Sequence, residues 1–337
     1  MNGAVLSVRK APMAHGGRLN EAKRLFPGAP EPFIDLSTGI NPVPWPVPPI
    51  SAEGWARLPE QDQALALEEA AARAYGVRDA GMVVAAPGTQ LLISALPRIF
   101  PLASLAVLGP TYGEHAAAWR ASGALVAETG DFSALERCEG AVVVNPNNPD
   151  GRRHDAQALL ALATRLHGKG GLLIVDEAFA DLEEGVTIAP LLPQPGVVVL
   201  RSFGKTYGLA GLRLGFALGD TSYVERIRTA LGPWAVSGPA LEIGRAALMD
   251  TDWKEAARTR LARDVSRLGG LLTRAGFTLA GGTHLFQLAE SPEAPRWFDR
   301  LGRAGILVRA FESHPERLRF GLPGNEAAWS RLEEVLT

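Results

Sequence analysis

The stretch Val197-Val-Val-Leu200-Arg-Ser202-Phe-Gly204-Lys205-Thr-Tyr-Gly208-Leu-Ala-Gly211-Leu-Arg213-Leu-Gly215 decides the reading of this chain. Its apolar head, Val197–Leu200, reads as a buried strand. Lys205 then falls where the strand ends, in a turn punctuated by five glycines from Gly204 to Gly219. A hydroxyl, Ser202, lies three residues before it and Arg213 eight residues after it. A lysine so placed suits Schiff-base formation with an aldehyde, while serine and arginine suit a phosphate, which accepts hydrogen bonds and carries negative charge. A lone loop lysine would read as a solvated side chain. Three such groups at these spacings read as one site.

Upstream, short apolar runs alternate with helix-length segments: Met82–Ala85, Ser104–Leu108, Ala124–Ala127, Ala141–Val144, Leu172–Val175, Val197–Leu200 and Leu214–Leu218. Strands separated by helices imply crossover connections, hence an α/β fold with a mainly parallel central sheet and helices on both faces. Function on such a sheet collects at the carboxyl ends of the strands. Polar motifs do follow the runs directly: Pro87-Gly-Thr-Gln90, Pro110-Thr-Tyr112, Asn145-Pro-Asn-Asn148, Asp176-Glu177 and Ser202–Lys205.

Both ends differ from this middle. The first fifty residues are dense in proline and glycine, a density that excludes regular helix or an internal strand, so an extended arm is expected. Beyond about Asp220 come helices, then strand-like pieces near Phe277–Leu279, Leu285–Leu288, Ile306–Arg309 and Leu318–Gly321, with helices at Ala294–Arg303 and Asn325–Leu336. That pattern reads as a smaller C-terminal α+β domain. The expected division is an arm over 1–45 serving the small domain and the site, a large domain over 46–225 and a small domain over 226–337.

At 337 residues the chain can bury a sizeable core, and an apolar content of 47% with net charge −2 fits a globular enzyme. No basic excess points to nucleic acid, and no apolar run is long enough to span a bilayer. The single Cys138 excludes an internal disulfide and fits a reducing compartment; residues 1–18 lack the apolar core of a signal peptide, so the cytoplasm is expected. No metal site is expected.

Each motif carries a chemistry and a plainer alternative. Gly88-Thr89-Gln90 opens a helix after a strand, where free N–H groups and the helix dipole favour an anion, although any helix start looks so. Tyr112 reads as a half-buried aromatic, able to stack on a planar ring. Asn145-Pro-Asn-Asn148-Pro-Asp-Gly151 is a turn whose two asparagines exceed what a turn needs. Asp176 ends a strand of four apolar residues, so its carboxylate risks burial and needs a cation, unless it caps an exposed helix. Glu177 and His115 read as structural.

Taken together, from His15 to about Leu322, these motifs and their order resemble the aminotransferase-class, fold-type I enzymes that use pyridoxal 5'-phosphate (PLP). The resemblance implies a Schiff base on Lys205, which then serves as proton shuttle, with Asp176 facing the pyridine nitrogen and Tyr112 flat against the ring. It implies Asn148 at the phenolic oxygen and Gly88, Thr89, Gln90, Ser202 and Arg213 around the phosphate. Within the family, His15-Gly16-Gly17 followed by Asp35-Leu-Ser-Thr-Gly-Ile-Asn41-Pro42 closely resembles the start of the cobalamin-pathway threonine-phosphate decarboxylases; the other neighbour is histidinol-phosphate aminotransferase. That likeness implies His15, Gly16, Gly17, Asn41, Arg309 and Arg319 at the substrate, with Arg319 on its carboxylate, a phosphorylated amino acid as substrate, and a homodimer. Two departures from the aminotransferase pattern point the same way: Phe179 stands where a tyrosine is usual, and Leu58 where a tyrosine commonly reaches the neighbouring subunit.

Overall fold

Val83, Ala85, Val143, Val175, Val197 and Val199 belong to one buried apolar cluster, whereas Val84, Val142, Ile174, Val198 and Leu200 belong to another. Neighbours in sequence thus serve opposite faces of one sheet, the two-residue period of strands covered on both sides. In the computed structural model, which describes residues 15–337, the strands are β1 (Ile34–Leu36), β2 (Val83–Ala86), β3 (Ser104–Leu108), β4 (Leu125–Thr129), β5 (Gly140–Val144), β6 (Leu172–Asp176), β7 (Val197–Ser202), β8 (Gly215–Gly219), β9 (Thr278–Thr283), β10 (Phe286–Glu290), β11 (Ile306–Ala310) and β12 (Arg317–Phe320). They form a seven-stranded sheet in the order β2-β8-β7-β6-β5-β3-β4 and a five-stranded sheet in the order β1-β11-β12-β10-β9.

In the larger sheet β3 to β7 run parallel, while β8 is antiparallel to both its neighbours, β7 and β2. β8 alone is therefore reversed, and the expected mainly parallel α/β sheet is what forms. The reversal follows from the connection: between Ser202 and Gly215 lie only a one-turn helix, Phe203–Thr206, and a short 3-10 turn, too little for a crossover. One face is covered by helices Gln61–Tyr75, Ala156–His167 and Gly238–Met249, whose Leu67, Leu159 and Leu241 join the first cluster. The other is covered by Thr89–Ile99, Glu114–Ala121 and Thr221–Leu231 through Leu92, Trp119 and Val224. The free edge of β2 is closed by side chains. Glu68 accepts from Ala85 N at 3.1 Å, Arg228 donates to Val83 O at 3.0 Å, and the two pair at 2.8 Å.

Contacts divide the chain into residues 43–262 and residues up to 42 with 263–337, where the sequence pattern expects boundaries after 45 and 225. Helix Gly238–Met249 goes with the large unit because a Cβ at Gly244 would fall 2.4 Å from Leu214 and 3.0 Å from Leu67. Residues 1–14 of the expected arm lie outside the described residues. The rest of the arm corrects the expectation of a purely extended segment. Leu19–Leu25, ahead of the first proline cluster, is a helix, and β1 is a strand pairing in parallel with β11 through Asp35↔Leu307. Proline density averaged over fifty residues hid a proline-free helix, and β1 lies at a sheet edge, where flanking prolines cost no ladder hydrogen bond. Among the described residues no helix is long and apolar enough to cross a membrane.

Candidate active site

Since β8 alone is reversed, its first residue, Gly215, stands in register with both Ala86 and Ser202, the last residues of β2 and β7. One rim of the sheet therefore gathers Gly88–Gln90 after β2, Tyr112 after β3, Asn148 after β5, Asp176 ending β6, Ser202 ending β7, Lys205 after it, and Arg213 just before β8. All nine residues expected around the cofactor fall on this rim.

Asp176 is its electrostatic centre. The residue as a whole is 4% exposed, and its Oδ2 lies 2.8 Å from Nε2 of His115, a residue 1% exposed. Against an ionised carboxylate that nitrogen must be the donor. Oδ1 accepts from Ala178 N at 3.0 Å. Burial pushes the Asp176 carboxyl up, but the His115 hydrogen bond, the charges of His115 and Lys205, and the Ala178 N–H together hold it below the ordinary carboxylate range. Asp176 is thus a buried carboxylate kept charged, not the exposed helix cap that remained open from sequence. His115 was read there as structural; it reaches Asp176 across 61 residues, and its place one helical turn beyond Tyr112 was the only available signal.

The other members are placed by their own elements. Lys205 is half-buried in the turn after β7, with Nζ 5.1 Å from the centroid of the buried Phe179 ring. Phe203 and Tyr207, flanking the lysine, stack at 4.4 Å, and Tyr207 stacks on Trp253 at 5.6 Å, so the turn rests on an aromatic pile. Tyr112 donates to Gln90 Oε1 at 2.9 Å, which ties the end of β3 to the helix after β2. Asn145 is fully buried and serves the backbone: its N–H donates to Asp176 O at 2.8 Å and its amide to Val186 O at 3.2 Å. Asn148 is half-buried in the same loop.

Gly88 caps helix Thr89–Ile99 with φ +83 and ψ 156, a conformation reserved for glycine. A Cβ there would lie 2.6 Å from Nη2 of Arg213. The guanidinium thus leans over the helix N-terminus, putting a fixed cation beside unpaired N–H groups: an anion seat. Arg213 itself has φ +55, a left-handed conformation held by its N–H to Ala210 O at 3.3 Å and its Nη1 to the same oxygen at 3.0 Å.

The six residues expected at the substrate all lie in the other unit. Four of them converge on a residue that the sequence pattern did not single out, Ser37, or pair beside it. Gly17 N donates to Ser37 Oγ at 2.8 Å, Arg319 Nη2 donates to Ser37 O at 2.9 Å, and a Cβ at Gly16 would meet that carbonyl at 2.4 Å. Ser37 is in turn held by Asp35, to which its hydroxyl donates at 2.5 Å. Arg309 stands directly opposite Arg319 in the β11–β12 register. Burial and the Arg309 charge push the Arg319 guanidinium down to about 10, Asp35 opposing them. Two like charges facing each other on a sheet repel, and Asp35 offsets part of that repulsion. Asn41 is buried and His15 exposed.

A family model described as aminotransferase class I and II matches residues 35–334. Over 327 residues the chain is 45% identical to a threonine-phosphate decarboxylase of Pseudomonas aeruginosa, covering 96% of this chain and 97% of that one. It is 44% identical over 330 residues to a threonine-phosphate decarboxylase of a Sinorhizobium species, covering 97% and 98%. Among solved structures, a histidinol-phosphate aminotransferase from Sinorhizobium meliloti in complex with pyridoxal-5'-phosphate superposes with a TM-score of 0.79 over 97% of this chain and 98% of that chain; at 18% identity this is a likeness of fold.

Proposed function

The chain belongs to the aminotransferase class I and II family, and on that footing we propose that it is a PLP-dependent decarboxylase converting L-threonine O-3-phosphate to (R)-1-aminopropan-2-yl phosphate and CO2, a product suited to the cobalamin side arm. The observation that carries the chemistry is the buried, charged Asp176 at the end of β6, with Lys205 following the adjacent strand β7.

The residues fit the cofactor. A buried carboxylate held ionised suits a protonated ring nitrogen, and the Gly88–Arg213 seat suits a phosphate. Bound there, PLP supplies an electron sink for the pair left behind when a bond at the substrate's Cα breaks. Asp176 would keep the ring nitrogen protonated, and His115 keeps Asp176 charged and oriented. Tyr112 would lie against the ring, Asn148 would donate to the phenolic oxygen, and Gly88, Thr89, Gln90, Ser202 and Arg213 would hold the phosphate. Lys205 would hold the aldehyde in the absence of substrate, and its amine, once free, would be the group to deliver the proton that replaces CO2 at Cα. Decarboxylation would need the Cα–carboxylate bond held perpendicular to the ring, and aiming it would fall to the substrate residues. The opposed Arg309 and Arg319 bring two positive charges together and suit a substrate bearing both a carboxylate and a phosphate. His15, Gly16, Gly17 and Asn41 complete that side.

We also propose a homodimer, which the large exposed apolar side chains Trp55, Leu58, Leu65 and Trp234 would serve to form, and a cytoplasmic location, in keeping with the single free Cys138. Incubation with threonine phosphate tests the reaction. CO2 release without any keto acid is expected; amino transfer to 2-oxoglutarate in its place would overturn it in favour of histidinol-phosphate-type transamination.

A further inference from the structure

Behind the functional rim, on the opposite side of the same strand ends, lies a buried ionic cluster. Arg201 precedes Ser202 and Glu177 follows Asp176; because successive strand residues face opposite ways, each stands back to back with a site residue. Arg201 is 3% exposed and Glu177 1%. Arg201 Nη1 donates to Glu177 Oε2 at 2.6 Å and to Thr187 Oγ1 at 3.0 Å, and its Nη2 donates to Asp181. Glu177 also accepts from Ile188 N at 2.8 Å and from the Thr187 hydroxyl at 2.5 Å, while its own N–H donates to Leu200 O at 2.9 Å. The guanidinium lies 4.5 Å from the centroid of the Tyr75 ring. Tyr207, at the far end of the lysine turn, feels the charges of Asp181 and Arg201. The cluster therefore includes the residue that leads into the lysine turn, Arg201, and acts by charge on the residue that ends it, Tyr207.

A buried ionic group of this kind gives little net stability over apolar side chains of the same shape. Two carboxylates face one guanidinium, and one oxygen of Asp181, the Arg201 Nε and the Tyr75 hydroxyl are buried with no hydrogen-bond partner. Burial pushes the Glu177 carboxyl up in spite of Arg201. Such a cluster is a poor choice for stability alone. What it supplies is direction: a forked donor bridging the ends of β6 and β7 leaves those two strands little freedom to slide or splay.

We propose that Arg201, Glu177 and Asp181 form a positioning clamp that sets the spacing of Asp176 from Ser202 and Lys205, and so sets cofactor affinity without touching the cofactor. The proposal rests on the reading of Lys205 and Asp176 as cofactor residues. Glu177→Gln is the cleanest test, since it leaves one guanidinium facing one carboxylate and strands no charge. We expect its thermal midpoint to stay near that of the parent, its dissociation constant for PLP to rise about tenfold or more, and the pH midpoint of the visible band of bound cofactor to move. The triple variant Arg201→Met, Glu177→Gln, Asp181→Asn removes all three charges and should show a larger loss of affinity. Parental affinity and an unmoved pH midpoint in folded Glu177→Gln overturn the clamp, whatever the triple variant does. Lys205→Ala, run alongside, separates the two claims. Should it still trap PLP covalently on borohydride reduction, the cofactor reading itself fails; should it lose the trap while Glu177→Gln binds as the parent does, only the clamp fails.

Discussion

Replacing His115 by phenylalanine removes its side-chain hydrogen bond to Asp176 while filling the same buried space. The bond spans 2.8 Å between side chains that are 2% and 5% exposed, so water does not replace it. A hydrogen bond to a charged group in such a place contributes about 1.5–3 kcal/mol, which corresponds to roughly one to two pH units at Asp176. The direction is set by linkage. Asp176 is held below its ordinary value of 3.8 in the fold, so its charge adds stability above the unfolded-state value, and that stability is lost as the pH falls through the folded value. In His115→Phe burial is left less opposed, the folded value rises, and the loss begins at higher pH. Urea melts of the cofactor-free protein between about pH 3 and pH 7 should show the acid flank displaced upward by about one to two pH units. In an Asp176→Asn background the same replacement should displace nothing, because no carboxylate remains to titrate. Coincident acid flanks for His115→Phe and the parent, or an equal displacement in the Asp176→Asn background, would refute the assignment of His115 as the group that keeps Asp176 charged.

Gly88→Ala forces a side chain into a backbone conformation that costs about 1–3 kcal/mol and pushes on Arg213 Nη2, 2.6 Å from the new carbon. Calorimetry should show a lower melting temperature and weakened binding of both PLP and inorganic phosphate. Arg319→Lys keeps the charge but not the fork, so KM for threonine phosphate should rise about tenfold with a smaller change in kcat, read by CO2 release. Lys205→Ala should lose the visible absorption of the bound aldehyde; if the band persists, a different amine holds the cofactor.

What could be read from sequence was whatever lies in one place along the chain. The apolar runs marked the strands, and a strand's end is where its next polar residue falls, so Lys205, Asp176, Asn148 and Gly88 could be placed at strand ends from sequence. What could not be read was the partner supplied from elsewhere. His115 meets Asp176 across 61 residues, Arg201 meets Glu177 across 24, and Arg319 meets Ser37 across 282. Periodicity reports which way a residue faces and not what faces it. The same limit hid β1, three residues whose strand character comes from the β11 edge they pair with rather than from their own composition. The reversal of β8 was legible in principle, since a connection of twelve residues without a full helix cannot cross over a sheet. It matters for the site: had β8 been parallel, its first residue would lie at the opposite rim, and Arg213 would stand a strand's length from Gly88 instead of leaning against it.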